Sequence, residues 1–197
     1  MILKQAVLLS LSSLFALVSF SQTIEADIIY NTNISNDDSR VINYNSKQKL
    51  AIADFKGAPD AGRDAVAITS SGFLFKAGFR SKGGKATLNI IVECSFDKKL
   101  SWMKEKGKNA YILGHEQHHF DISYIGAFLF TKKLKQTTFT ADEYKEQLQT
   151  VYNNAINDME ALQNKYDAET GNGTTREKQM AWDKKIEVQL AALSDGQ

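Results

Sequence analysis

The hydrophobic period of this 197-residue chain changes once, near Asn109. Before that point apolar residues come in short alternating runs bounded by Gly, Pro, Asn and Asp, the pattern of half-buried strands. After it they recur every three or four residues over long stretches, the pattern of helices that bury one face. A strand block followed by a helix block predicts an α+β fold: an antiparallel, β-rich N-terminal half followed by three helices.

In the first half, Ile24–Ile34, Val41–Tyr44 and Lys49–Phe55 read as short strands. Val66–Phe79 and Ala86–Phe96 read as a hairpin whose turn is Ser81-Lys82-Gly83-Gly84-Lys85. Cys94, within the second hairpin strand, reads as a buried inert thiol. In the second half, helix one is predicted over Ala110–Lys135, capped by Asn109 and ending in Lys132, Lys133 and Lys135. Helix two is predicted over Ala141–Tyr166, with Thr140 and Glu143 as a capping box and an apolar stripe from Tyr144 through Leu148, Val151, Ala155, Met159 and Leu162 to Tyr166. Helix three is predicted over Thr175–Leu193, with Thr174 and Glu177 as its capping box and Trp182, Ile186, Leu190 and Leu193 inward.

Met1–Ser21 has the layout of a secretory signal peptide: a lone Lys4, the apolar run Ala6–Phe20, and small residues at Ser19 and Ser21 before a cut at Gln22. The expected mature chain is a single domain over residues 22–197, secreted or periplasmic, with no membrane insertion after cleavage. With 24 basic and 23 acidic residues and no basic block, the chain lacks the charged face on which nucleic-acid binding relies. A single Cys excludes an internal disulfide framework and any metal site built from several thiolates.

The only three His of the chain fall in His115-Glu116-Gln117-His118-His119, which matches H-E-x-x-H. Residues i and i+4 lie one turn apart on one helical face, so His115 and His119 can present two imidazoles to one Zn²⁺. Glu116 projects about 100° round from His115, within reach of a zinc-bound water as its general base. His118 points elsewhere and, with Asp121, reads as an outer or surface pair. The apolar neighbours Tyr111, Ile112, Ile122 and Ile125 argue against a merely solvated turn.

With no further His, the third ligand must be a carboxylate, as in His₂Glu zinc sites. If helix two packs back antiparallel, it returns to the level of His115 near residues 158–160. There Asp158 lies at the edge of the inward stripe and Glu160 faces away. One more turn of helix beyond Tyr166 would turn Glu169 inward with Tyr166 and Leu162, and leave Asp167 outward. Tyr166 could donate to a developing oxyanion.

The sequence resembles a bacterial family catalogued as domain of unknown function 922 and described as predicted secreted zinc-dependent proteases. The matching stretches are Asp54-Phe55-Lys56-Gly57 with Pro59, Ala67-Ile68-Thr69-Ser70-Ser71-Gly72, Ser101-Trp102, His115 through Ile122, Tyr166-Asp167-Ala168-Glu169-Thr170, Gln179 and Trp182. The resemblance implies a zincin-like metallopeptidase without naming a substrate. Many members read Tyr-Asp-x-x-Thr-x-His-Gly at the second motif, where this chain carries Asn172. The resemblance and the helix geometry overlap best at Glu169, with Asp167 second.

The leading expectation is therefore an exported zinc metallopeptidase acting on a peptide or protein, with His115, His119 and Glu169 as ligands and Glu116 activating the water. The alternative is a catalytically degenerate domain that keeps the fold for binding or scaffolding in the cell envelope, with Asn172 as its support. Metal-dependent amide hydrolysis in cell-wall peptides would use the same residues.

Overall fold

The computed structural model describes residues 22–30, 40–82 and 85–194. Met1–Ser21, Ile34 and the Gly83-Gly84 centre of the hairpin turn lie outside the described residues. The strand-rich half and the three helices of an α+β fold are present.

The sheet is built around β5 (Lys85–Asp97), whose alternate residues Ala86, Leu88, Ile90, Val92, Cys94 and Phe96 are all buried. On one side β4 (Ser71–Lys82) pairs antiparallel with it along its whole length, from Ser71 opposite Phe96 to Lys82 opposite Lys85. On the other side β1 (Thr23–Tyr30) and β2 (Val41–Asn43) follow one another. The sheet is mixed rather than antiparallel: β1 runs parallel to β5, with Ile28 opposite Ile90. Alternation along a strand reports which face is buried, not the direction of its neighbour, so the parallel pair was invisible in the pattern. A two-stranded sheet joins β3 (Ala67–Ile68) antiparallel to β6 (Trp102–Met103).

Lys49–Phe55 is not a strand. Ile52–Asp54 form a single 3₁₀ turn, and side chains satisfy the neighbouring amides: Leu50 N donates to Gln117 Oε1 at 2.7 Å and Ala51 N to Asp54 Oδ2 at 2.8 Å. No partner strand is then needed. Beyond it, Phe55 packs on Phe96 and Gly57 N donates to Ser101 O at 2.8 Å. A Cβ at Gly57 would stand 2.6 Å from Lys99 O, so the close approach requires Gly.

Helix α1 (Ala110–Lys135) has the predicted bounds, and the Asn109 side chain accepts from Ile112 N as its cap. It lies across the inner face of the sheet, burying Phe120, Ile122, Ala127, Phe130 and Leu134. Helix α2 (Tyr144–Thr170) begins three residues later than predicted and ends one turn later. Thr140 belongs instead to β7 (Phe139–Thr140), which pairs with the start of β1, and no side chain caps α2. Helix α3 (Arg176–Ser194) starts after Thr175, whose carbonyl accepts from Gln179 N. Thr174, the predicted cap, donates to Gly171 O instead. The predicted stripes face the core: Leu148, Met159 and Tyr166 from α2, and Trp182 and Ile186 from α3, are buried. Cys94 is buried and unpaired with another thiol, and burial pushes its pKa up, as an inert thiol requires. No helix among the described residues is long and apolar enough to cross a membrane.

Candidate metal centre

His115 and His119 lie on α1 one turn apart, and their Nε2 atoms approach to 3.3 Å. Asp167, near the end of α2, places Oδ1 at 3.3 Å from His115 Nε2 and 3.0 Å from His119 Nε2. The three atoms form a nearly equilateral triangle. Three ligands at roughly 2.0–2.1 Å from a tetrahedral zinc ion stand about 3.3–3.4 Å apart, so the triangle has the size of one face of such a site.

The protonation of the imidazoles can be read from their outer partners. Gln179 Nε2 donates to Tyr166 Oη at 2.7 Å and to Asp183 Oδ1 at 2.6 Å, which turns Gln179 Oε1 toward His115 Nδ1 at 3.0 Å. Gln163 Nε2 donates to His119 O at 2.8 Å, which turns Gln163 Oε1 toward His119 Nδ1 at 2.6 Å. A carbonyl or carboxylate oxygen only accepts, so these amide orientations are forced and both Nδ1 atoms carry the proton. In the neutral rings both Nε2 atoms then hold lone pairs aimed at the carboxylate. Three electron-rich atoms facing one another need a cation between them.

A proton is the simplest such cation. Burial opposes charge on His119, but its hydrogen bond to Asp167 and the negative charges of Glu116 and Asp167 prevail and raise its pKa. Burial likewise opposes charge on Asp167, but its contacts with His115 and His119 hold its carboxyl well below the usual range. A divalent metal would meet the same three atoms. Among the described residues, His115, His119 and Asp167 form a group able to hold one.

Glu116 is only 4% exposed, and its Oε2 has no hydrogen-bond partner. Such an orphaned buried acceptor is costly, and a water or substrate proton would satisfy it. Glu116 opens onto a cleft of about 680 Å³ together with the triad. One wall is the segment from Asp64 to Ser71; the other is the face of α2 carrying Glu160, Gln163 and Asp167.

Glu169 does not join the His pair. Its Oε2 accepts from Trp182 Nε1 at 2.9 Å. The inward side of α2 at that level faces α3, whereas the metal group sits in the cleft beside the core stripe, on the row of residues 160, 163 and 167. The level of the return also differs: Tyr166, not residues 158–160, stands opposite His115, because α2 starts only after the β7 connection. Asp158 is exposed on the surface, and Glu160, expected to face away, lines the cleft. Tyr166 is fully buried; its hydroxyl donates to His115 O at 3.2 Å and accepts from Gln179. It braces the helix under the site and is committed to those partners.

His118 and Asp121 are not a surface pair. Asp121 is wholly buried and accepts from Tyr44 Oη at 2.8 Å, Gln117 Nε2 at 2.9 Å and His118 Nδ1 at 3.0 Å. Burial opposes its charge, but His118, Lys49 and the remaining hydrogen bonds lower its pKa. His118 Nε2 lies 3.1 Å from Asp183 Oδ1, so the ring ties α1 to α3 beside Gln179.

The turn closing α2 completes the frame. Gly171, Asn172 and Gly173 all have positive φ. Gly173 lies against the His115 ring, where a Cβ would come within 3.0 Å of Cγ, and its carbonyl accepts from Tyr111 Oη at 2.6 Å. Asn172 is exposed at the cleft mouth. Sequence reading assigned no role to Gln163 or Gln179. For Gln163 the available signal was its position one turn before Asp167 on the same helix face.

No curated protein and no solved structure matches the chain. The family model described as Bacterial protein of unknown function (DUF922) matches residues 91–173, from within β5 to the turn after α2, and over this stretch the chain resembles that family.

Proposed function

We propose that the protein is an exported zinc-dependent peptidase whose metal is held by His115, His119 and Asp167. The observation that carries this reading is the convergence of two imidazole Nε2 atoms and a carboxylate oxygen next to the unpartnered Oε2 of Glu116. A bound zinc ion supplies Lewis acidity, polarising a carbonyl and making water more acidic. The protein groups do the rest. Gln163 and Gln179 hold the imidazoles in the Nδ1–H tautomer, leaving Nε2 free to bind. Glu116, buried beside the triad with Oε2 unpartnered, takes a proton from the attacking water and can return it to the leaving amine.

The cleft also suits an extended substrate. Lys104 N donates to Val66 O at 2.8 Å, which makes Val66 and Ile68 the hydrogen-bonded positions of the β3–β6 pair. Ala67 then turns its N–H and C=O away from β6 and lines the cleft. A peptide laid along that edge would extend the small sheet by one strand. Asn172 does not argue for a degenerate site, because Asp167 completes a three-ligand set without it.

The experiment is zinc analysis and peptide digestion with the purified mature chain. The reading predicts about one equivalent of zinc and cleavage that a chelator abolishes. Less than half an equivalent after gentle purification, or no cleavage of any peptide in a mixed library by the zinc-loaded protein, would sink it.

A further inference from the structure

We infer that the cleft selects peptides carrying basic side chains on both sides of the bond to be cut; this rests on the peptidase reading above. The charged side chains that line the cleft, apart from the His pair, are Asp64, Glu116, Glu160 and Asp167, with no Lys or Arg among the lining residues. The bias is local, since the whole chain carries 24 basic and 23 acidic residues. A dication at the triad neutralises only part of this charge.

Asp64 and Glu160 are exposed and form no ion pair among the described residues. Elsewhere on the surface some carboxylates have cationic partners, as Asp97 with Arg40, Asp60 with Arg63 and Glu93 with Lys76, while others, such as Glu146 and Asp158, form no ion pair among the described residues; Asp64 and Glu160 are set apart by facing the cleft. Glu116 is the independent sign that the cleft is built for a ligand, being nine-tenths buried with Oε2 unpartnered.

The two free acids stand at opposite ends of the cleft. Thr69 Oγ1 donates to Glu116 O at 3.1 Å, and Ser71 Oγ lies 2.8 Å from Ser123 Oγ, so the segment from Asp64 to Ser71 runs alongside α1 in the same direction. Asp64 therefore lies toward the start of α1. Helix α2 runs the other way, with Asp167 beside His115 and Gln163 beside His119 and Ser123. Glu160 lies one turn beyond Gln163, at the far end. The triad sits between, so a peptide along β3 places one flanking side chain toward each acid. Ile68, Ile112 and Met159 give the walls apolar surface on which Lys or Arg stems can pack.

The test uses zinc-loaded Glu116→Gln protein and two fluorescent decapeptides with the same apolar core, one flanked by Lys and one by Glu. By anisotropy the Lys peptide should bind at least roughly tenfold tighter at low salt, the preference shrinking as salt is raised. Replacing both exposed acids, Asp64→Asn with Glu160→Gln, should remove most of that preference. Equal binding of the two peptides, or a preference that survives the double replacement, overturns the inference. Digestion by the wild-type protein separates the two readings. A Lys preference in binding with no cleavage sinks the peptidase reading, and with it any bond to be cut, and keeps only the cleft's selection of basic flanking side chains; equal cleavage of both peptides keeps the peptidase reading and overturns this inference.

Discussion

His119 Nε2 and Asp167 Oδ1 stand 3.0 Å apart, joining α1 to the last turns of α2 through two atoms that, in their neutral and ionised forms, are both acceptors. If that contact is a ligand edge, Asp167→Asn should weaken zinc binding by more than the roughly 10–100-fold that loss of an outer partner costs. Glu169→Gln should leave it unchanged. A competition titration against a chromophoric chelator checks both; the reverse order would return the third ligand to Glu169.

Glu116→Gln should keep zinc and lose about 10²–10⁴-fold in turnover. Its folding stability should not fall, since the change replaces a buried side chain whose Oε2 has no partner and leaves the triad intact. Metal content, kcat and Tm measured on one preparation separate a catalytic loss from an unfolded one.

The amides of Gln163 and Gln179 fix both imidazole tautomers. Long-range ¹⁵N–¹H spectra of the metal-free protein, taken where the rings are neutral, should show His115 and His119 protonated at Nδ1. Gln179→Ala should blur the pattern for His115 alone and cost about 10–100-fold in zinc affinity. An Nε2–H signal for either ring in the wild type would contradict the hydrogen-bond reading.

The pH dependence has opposite signs with and without metal. In the metal-free protein His119 has its pKa raised above the ordinary 6.5, so its contribution is complete below that pH and fades as pH rises through the folded value. Asp167 is depressed below its ordinary 3.8, so its contribution is present above that pH and is lost on acidification. The pair therefore supports the metal-free fold best between those two ordinary values. With zinc, protons compete for the same atoms, and stabilisation by the metal should grow as pH rises. Tm against pH, with chelator and with zinc, should give diverging curves above about pH 6.5.

Gly173→Ala tests the frame. The backbone there has φ +77°, and a Cβ would meet His115 Cγ at 3.0 Å and Nδ1 at 3.1 Å. Destabilisation of about 1–3 kcal/mol is expected from the strained backbone alone, together with loss of zinc affinity as the ring is displaced. Thermal unfolding and zinc titration report the two effects independently; an unchanged His115 site would mean that the turn does not hold the ring.

Much of this site was legible along the chain because it is local. His115, Glu116 and His119 are spaced by one helical turn, and α1 formed within its predicted bounds with Asn109 as its cap. The inward stripes of α2 and α3 followed from their period. Glu169 was favoured because it shares the side of Tyr166. That side meets α3 and Trp182, while Asp167, a third of a turn away, meets the cleft. Periodicity identifies a buried face but not which neighbour buries it.

Sequence alone determined the strand-then-helix order, the paired imidazoles with their carboxylate neighbour, and the absence of any further His or of a second thiol. Only the tertiary structure decided that Asp167 meets the pair, that Gln163 and Gln179 set its tautomers, and that β1 runs parallel to β5. The physical reason is distance along the chain. A helical turn fixes neighbours four residues apart by backbone geometry, whereas groups dozens of residues apart meet only through packing of whole elements against a shared core.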